Sequence, residues 1–313
     1  MTNCAGSLSL LSGFHKNLLL SVCPKGTTII NAKYFREEYV PGPIRVVTRF
    51  PNGSQQILVL RLARHGSIEG EACLFSVLAP MGLAVPQVLA GPKADPHAPN
   101  GSIAAVYSFL EGCNLQELSE RSTDDCTRAM QLVVEGATRL AALTYEMQSK
   151  AEVEFLPVVT LSDQLESLLQ NAGPWLHESV FSRAVDALRP VLDQVADQPV
   201  FTSGDYQPAN FLTDGTNLTG FVDFENARYQ DFLFGFAKYP IYDLHPMNKA
   251  GFVHFLVEQA NIERWQFDIR VALGCLTTLQ REIPVTGKLS NYRMHVLSLL
   301  SGALSSINKR NRP

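Results

Sequence analysis

The chain has 313 residues, of which 46% are hydrophobic and 18% charged, and its formal net charge is −4. This length fits one two-lobed enzyme or two domains of typical size, with enough apolar residues for a sizeable core. The slight negative charge argues against a nucleic-acid binder, which would depend on neutralising phosphates. A small-molecule partner is therefore expected.

The six cysteines include no C-x-x-C pair, so neither a zinc site nor a disulfide framework is predicted. The N-terminal segment has no basic stretch or cleavage site of an export signal, and no apolar run approaches the roughly 18 residues of a membrane helix. We expect a cytoplasmic protein that does not cross a membrane. The sequence does not indicate its oligomeric state.

The N-terminal part reads mainly as strands. Leucines in residues 1–26 indicate a short helix broken at Gly13. Three apolar runs, 27–35, 44–50 and 55–62, then predict three antiparallel strands, the last two joined by a turn at Pro51-Asn52-Gly53.

Ser67 is a predicted cap for the helix that follows these strands, residues 91–102 are a predicted Pro/Gly-rich loop, and a strand ending at Gly112 comes next. Apolar residues then recur at helical spacing after the predicted cap Thr123, at Cys126, Met130, Val133, Ala137, Leu140, Thr144 and Met147. Further helices are predicted over 161–169, 180–195, 249–259, 263–281 and 289–307.

Residues 201–235 contain the most informative pattern. Two short apolar runs flank the turn signal Asp214-Gly215, which predicts a hairpin with Asp205, Asn210 and Asp223 near its ends. Carboxylate and amide oxygens suit Mg²⁺. Asn210 lies five positions after Asp205, and Asp223 thirteen after Asn210, which is the spacing of a kinase catalytic loop and its following metal-binding aspartate.

The segments G-D-Y-Q-P-A-N (204–210) and V-D-F-E (222–225) resemble the signature of the aminoglycoside phosphotransferase and choline kinase-like family, H-G-D-x-x-x-x-N followed by [IV]-D-[FW]-E. The resemblance implies an α+β, bilobal protein-kinase-like fold. Its small antiparallel-sheet N-lobe would span 1–110, with 1–26 as an extension, and its mostly helical C-lobe would span 111–313.

By this resemblance, Asp205 is the catalytic base that accepts or orients the proton of the attacking hydroxyl, and Asn210 and Asp223 hold Mg²⁺. Glu225 would contact either a metal-bound water or a supporting helix; the equal alternative is an ordinary surface acid. Asp231 is expected to brace the loop after the metal-binding residue.

The resemblance also implies a nucleotide site in the N-lobe. Arg61 stands where kinases carry the phosphate-binding lysine, with a solvent-facing strand arginine as the alternative and Arg64 in reserve. Glu71, preferred over Glu69, would pair with this cation unless it is an exposed first-turn acid. The backbone of the hinge, at Ser108, Phe109 and Leu110, would bind the adenine.

The loop that covers the phosphates is less defined. Gly42 lies nineteen residues before Arg61, as expected for the tip of that loop, but the segment Tyr39-Val40-Pro41-Gly42-Pro43 contains one glycine. A bland turn is equally compatible, and Ser12-Gly13-Phe14 is an alternative position.

Two positions depart from the family pattern: Ser203 replaces the usual histidine and Gly235 an aspartate. Their joint change indicates either a matched rearrangement or a decayed site. The leading hypothesis is an enzyme that uses Mg²⁺ and ATP or GTP to phosphorylate a hydroxyl of a small molecule, with antibiotic resistance among the implied functions. The alternative is a catalytically impaired pseudokinase that binds a nucleotide or a partner; a general metal-dependent hydrolase is a third, weaker hypothesis.

The acceptor is open, and an aminoglycoside or other antibiotic, an amino alcohol, a sugar or a nucleoside all fit. The family binds it against the large-lobe helices, here within 240–300. The polar candidates are Tyr242, Asp243, His245, Glu258 and Asp268.

Overall fold

The computed structural model describes residues 7–35, 42–63, 68–98, 101–285 and 290–310. In these ranges the strands are β1 (Thr28–Tyr34), β2 (Ile44–Arg49), β3 (Gln55–Leu62), β4 (Val88–Ala94), β5 (Ile103–Ser108), β6 (Cys113–Asn114), β7 (Val158–Val159), β8 (Pro199–Thr202), β9 (Phe211–Thr213), β10 (Leu218–Phe221) and β11 (Arg228–Asp231). The helices are α1 (Gly13–Leu20), α2 (Ile68–Leu78), α3 (Leu115–Ser119), α4 (Thr123–Ala142), α5 (Thr144–Gln148), α6 (Leu161–Asn171), α7 (Ser179–Leu192), α8 (Lys238–Ile241), α9 (Phe252–Gln259), α10 (Arg264–Glu282) and α11 (Asn291–Arg310). The predicted α+β class is confirmed.

The N-terminal sheet is antiparallel and has the strand order β1-β2-β3-β5-β4. Its three predicted strands are confirmed, and Gly53 adopts a positive φ of 85° in the turn that joins β2 to β3. Helix α1 packs Leu18 and Leu19 onto the sheet beside Ile44 and Leu58. The N-terminal segment therefore completes the core of the sheet.

The predicted loop 91–102 is partly wrong, because β4 continues to Ala94 and pairs with β5. Proline has no N–H for a ladder, and Pro92 is accommodated by a shift of register between Ala90 and Lys93. This shift lets the strand pass a residue that the sequence pattern assigns to a loop.

Two compact units divide the chain: Met1–Cys113 with Asn210–Asn226, and Asn114–Ala209 with Ala227–Pro313. We call them unit 1 and unit 2. The hairpin of β9 and β10 belongs to unit 1, where the N–H of Phe221 donates to the carbonyl of Ala84 at 2.8 Å. The predicted lobes placed this hairpin in the C-terminal part; that division stays a prediction.

Unit 2 is mainly helical, and its core is built around α10, which packs against α6, α8 and α11. The side chain of Ser122 caps α4, not the predicted Thr123, by accepting the N–H of Asp125 at 3.1 Å. Helix α4 ends at Ala142, so Thr144 and Met147 lie on the separate helix α5. The sequence predicts a single helix here, because the apolar spacing continues across the break between α4 and α5.

The other predicted helices of unit 2 are present with ends shifted by a few residues. Among the described residues, no helix is both long and apolar enough to span a membrane. Cys126 and Cys275 are buried, and no disulfide joins the five cysteines in these ranges.

Candidate functional site

Arg61 is the centre of a charged cluster in unit 1. Arg61 lies on strand β3, directly after the buried core residue Leu60, and its side chain is 13% exposed. Its Nε donates to Glu71 Oε2 at 3.2 Å, and its Nη2 donates to Asp223 Oδ1 at 3.1 Å and to Glu225 Oε2 at 2.9 Å. The structure therefore brings Arg61, Glu71 and Asp223 together, and it makes Glu225 an ion-pair partner.

The acids of this cluster outnumber its cation. Burial by itself lowers the pKa of Arg61, but the attraction of Glu71, Asp223 and Glu225 outweighs it, so the pKa of the guanidinium is raised. Three carboxylates around one guanidinium leave two net negative charges. The cluster thus has the charge to attract a further cation.

Glu71 is 2% exposed and links three parts of unit 1. Its Oε2 accepts from Arg61 and from the hydroxyl of Tyr107 on β5 at 3.3 Å, while its Oε1 accepts the backbone N–H of Phe224 at 3.1 Å. Burial and the charge of Glu71 both raise the pKa of Tyr107, so this phenol stays a donor. Glu71 is therefore a buried anchor and not an exposed first-turn acid.

Asp223 follows β10 with a φ of 65°, in the left-handed region that non-glycine residues seldom adopt. Such a conformation costs about 1–3 kcal/mol and is concentrated at functional sites. The N–H of Val222 donates to the carbonyl of Asn210 at 3.0 Å, so the backbone of Asn210 lies beside the residue that precedes Asp223. The predicted hairpin thus brings the two proposed metal ligands to one end.

The predicted hinge follows β5. The hydroxyl of Ser108 accepts the N–H of Gln87 at 2.8 Å. The ring of Phe109 stacks on Phe35 with centroids 6.4 Å apart, and Leu110 is half-buried. The Phe109 side chain is therefore engaged with Phe35, and nucleotide binding by the main chain of this hinge stays a prediction.

The two candidate phosphate loops differ in how much the structure describes. Gly42 is buried two residues before β2, but Tyr39, Val40 and Pro41 lie outside the described residues, as do Arg64 and Ser67. At the alternative position, Ser12 is the N-cap of α1 and forms a capping box with His15. The alternative is thus a helix start and not the tip of a hairpin.

Unit 2 contains the predicted base, Asp205. Its Oδ1 accepts the N–H of Gln207 at 3.0 Å and contacts the ammonium group of Lys238. Ser203, which replaces the usual histidine, is 2% exposed, and its hydroxyl donates to the carbonyl of Asp205 at 3.0 Å. Ser203 thus contacts the backbone of Asp205, and Lys238 contacts its carboxylate.

The other departure, Gly235, lies against the ring of Tyr206. A Cβ at position 235 would lie 2.5 Å from Tyr206 Cδ2, a separation that real Cβ atoms do not show. Tyr206 is fully buried, its ring is 4.8 Å from that of Phe236, and its carbonyl accepts from the hydroxyl of Tyr239 at 3.0 Å. The ring therefore fills the space that a side chain at position 235 would need.

Asp231 pairs with Arg270 inside unit 2. Arg270 Nε lies 3.0 Å from Asp231 Oδ1, and Nη2 lies 2.6 Å from Oδ2, with both side chains at least 95% buried. This bidentate pair ties β11 to α10.

The acceptor candidates occupy different environments. Asp268 is buried and paired with Arg264 at 2.8 Å, Glu258 pairs with His254 on the surface, and Asp243 accepts from Asn248 at 2.7 Å. The His245 carbonyl accepts from Gln116.

Among these candidates, Tyr242 combines an exposed ring with an acidic hydrogen-bond partner. Its hydroxyl donates to Glu282 at 2.5 Å, and its ring stacks on Tyr292. Burial, followed by the bond to Glu282, raises its pKa to about 12.

The sequence profile of the phosphotransferase enzyme family, APH, matches residues 31–247. The chain belongs to this family. The curated proteins include no significant match to it. Among solved structures it is similar to a thermostable mutant of aminoglycoside phosphotransferase APH(4)-Ia in a ternary complex with AMP-PNP and hygromycin B, with a TM-score of 0.65 and 13% identity over 94% of this chain and 99% of that one.

Two further structures have the same fold. Wild-type aminoglycoside 2'-phosphotransferase-IIIa in its GDP complex has a TM-score of 0.61 and 16% identity, covering 93% of this chain and 98% of the other. LicA in complex with AMP has a TM-score of 0.55 and 12% identity, covering 96% and 100%. The kinase-like fold implied by the signature is confirmed, and family membership makes the protein a phosphotransferase.

The sequence did not single out Lys238, which contacts Asp205, or Tyr206, which lies against Gly235. Lys238 is separated from Asp205 by thirty-three positions, so no local spacing joins them. Its signal was its isolation, because it is the single charged residue in the run L-F-G-F-A-K-Y-P-I (233–241). A lone cation among buried apolar residues indicates a nearby acid.

Proposed function

We propose that the protein is a cytoplasmic kinase that transfers the γ-phosphoryl group of ATP or GTP to a hydroxyl of a small molecule. The observation that carries the proposal is the bond between Arg61 Nη2 and Asp223 Oδ1, which joins residues 162 positions apart. It brings a phosphate-binding type of cation next to the acid of the D-F-E motif.

The donor set fits Mg²⁺. Asp223 and Asn210 offer hard oxygen ligands, and the Asp223 side chain is 36% exposed. Among the described residues, no group of three or more His, Cys, Asp or Glu could hold a metal, and Mg²⁺ needs none, since it usually retains water and phosphate oxygens. Bound there, Mg²⁺ would neutralise charge that develops on the transferred phosphoryl group.

Arg61 would bind the nucleotide phosphates. Glu71 takes its Nε and the two other acids share Nη2, while Nη1 makes no hydrogen bond within the described residues. An arginine held in this way keeps a donor for a phosphate oxygen. Asp205 would accept or orient the proton of the attacking hydroxyl.

The structural relatives support a nucleotide donor and leave its base open, because they form complexes with AMP-PNP, AMP and GDP. One of them binds hygromycin B. Aminoglycosides therefore belong in the acceptor panel, together with amino alcohols, sugars and nucleosides.

The test is phosphotransfer from ATP and from GTP to this panel, with and without EDTA, measured by mass spectrometry of the product. We expect a product that requires Mg²⁺ and is lost in Asp205→Ala and Asp223→Ala, while Asp186→Ala, on the exposed side of α7, retains full activity. A thermal-shift series with Mg²⁺ and nucleotide reports binding separately. Binding without turnover on any acceptor would support the catalytically impaired alternative. Neither binding nor turnover would refute the kinase and the nucleotide-binding form of that alternative.

A further inference from the structure

Two positions in the region of Asp205, Ser203 and Gly235, depart from the family pattern. The serine at 203 contacts the backbone of Asp205, and its hydroxyl lies 3.0 Å from the Asp205 carbonyl. Gly235 has no side chain, and the ring of Tyr206 prevents one. Within the described residues, neither Ser203 nor Gly235 therefore provides a hydrogen bond to the carboxylate of Asp205.

Lys238 supplies that support from the first residue of α8. The neighbours Ala237 and Tyr239 are 2% and 0% exposed, so the helix start is fixed by packing. The side chains of Lys238 and Asp205 are 19% and 20% exposed, which leaves both four-fifths buried where they meet. An ion pair held in this way is less screened than a surface pair.

Tyr239 is the neutral neighbour of this pair. Burial, and then the charge of Asp205, raise its pKa well above the ordinary value, so the phenol stays protonated. Its hydroxyl donates to the carbonyl of Tyr206 at 3.0 Å. Lys238 thus provides positive charge at Asp205, while Tyr239 holds the backbone of Tyr206, the residue after Asp205.

We propose that Lys238 is a positioning residue for Asp205, in a region where Ser203 and Gly235 depart from the family pattern. The proposal rests on the proposed function, in which Asp205 receives the acceptor hydroxyl. A base must lie within hydrogen-bond reach of the proton that it takes, and a misplacement of about 1 Å can cost about a hundredfold in rate. Asp205 Oδ1 accepts both the charge-assisted bond from Lys238 and the N–H of Gln207, and two donors on one oxygen restrict the carboxylate.

The main test compares Lys238→Met with Lys238→Arg. Methionine keeps an unbranched side chain and removes the charge, and we expect kcat to fall about 10- to 100-fold, in keeping with a loss of positioning. The KM for the nucleotide should stay within about twofold, because Lys238 acts on Asp205 and not on nucleotide binding. Lys238→Arg should recover part of the lost kcat because it restores a cation.

A double-mutant cycle shows whether Lys238 acts through Asp205. In the Asp205→Asn background, Lys238→Met should cost little further activity, because residues that act as a unit are not additive. Arg189→Met, which breaks an exposed ion pair with Glu166 in the same unit, is the control and should leave kcat unchanged.

The wild type, Lys238→Met, Asp205→Asn and the double variant are compared by thermal unfolding. The loss of Tm in the double variant should be smaller than the sum of the two single losses. A wild-type kcat in Lys238→Met, or additive losses of Tm, would overturn the role of Lys238 alone. If the wild type has no turnover, the proposed function fails, and the Tm cycle still decides whether Lys238 and Asp205 are coupled.

Discussion

Glu71 Oε1 accepts the backbone N–H of Phe224, the residue that directly follows Asp223. The other oxygen of the same carboxylate binds Arg61 and Tyr107. One buried acid therefore fixes both the proposed phosphate-binding cation and the backbone beside the proposed metal ligand. This explains how Asp223 can be held in a left-handed conformation.

Replacing Glu71 by glutamine should destabilise the protein. An amide has one acceptor oxygen, so it cannot serve Arg61, Tyr107 and Phe224 together. We expect the free energy of unfolding to fall by about 2 kcal/mol, since buried donors lose their partner. Urea denaturation measures this loss, and Glu69→Gln, an exposed acid in the same helical turn, should change stability by no more than about 0.5 kcal/mol. Equal losses in the two variants would contradict the anchoring role.

Gly235→Ala should lower stability by about 1–3 kcal/mol, because the added methyl group overlaps the ring of Tyr206. The same substitution should cost less in a Tyr206→Leu background, where the ring is absent. Gly302→Ala is the matched control: a Cβ there meets nothing within 4 Å, and the position lies in α11, so helix propensity should make it neutral or stabilising. Chemical denaturation of Gly235→Ala, Tyr206→Leu, their combination and Gly302→Ala measures these costs. The overlap with the ring would be contradicted if Gly235→Ala cost the same with tyrosine and with leucine at position 206.

Asp231→Asn should cost about 3 kcal/mol, because it leaves the buried guanidinium of Arg270 without its counter-charge. The equivalent change in an exposed pair, Glu166→Gln beside Arg189, should cost less than about 1 kcal/mol. Denaturation of both variants at one pH separates the two cases. Similar small losses would mean that the pair contributes little.

His15 should make stability depend on pH. Burial lowers its pKa, with a smaller opposing effect from Asp95, and its Nδ1 accepts the N–H of Ser12 in the capping box. The unfolded chain therefore takes up a proton first as the pH falls below about 6.5. The contribution of neutral His15 is fully present above that pH and is lost toward the lower folded pKa.

The variant His15→Gln tests this, because glutamine can keep the capping box and does not titrate. Urea denaturation of both proteins at pH 7.5 and pH 5.5 removes the effect of shared groups by difference. Wild type should lose more stability than the variant on acidification. Parallel losses would show that His15 does not titrate between folded and unfolded states.

The sequence predicted the elements whose cause is local. Apolar runs joined by a turn signal predicted β2 and β3, the Asp214-Gly215 turn predicted the hairpin, and helical spacing predicted most of unit 2. Each depends on residues a few positions apart. The family signature assigned roles to Asp205, Asn210 and Asp223, and these roles stay predictions.

What the sequence did not predict depends on three-dimensional packing. The contact of Lys238 with Asp205, the ring of Tyr206 against Gly235 and the bond from Phe224 to Glu71 all join distant positions. The shift of register at Pro92 was missed for the opposite reason, because local proline chemistry was overridden by pairing with β5. Strand-breaking residues are tolerated where a sheet can bulge around them.

The hairpin of unit 1 has a consequence for the order of synthesis. Phe224 is made 153 residues after Glu71, the residue whose carboxylate it binds. If the N-terminal sheet forms before residue 224 is made, Glu71 lacks this partner while the intervening segment of unit 2 leaves the ribosome. Such a long-range closure is slow compared with local folding. A nascent chain that stops before residue 210 therefore lacks Asp223 and Glu225, the two later acids of the charged cluster of unit 1.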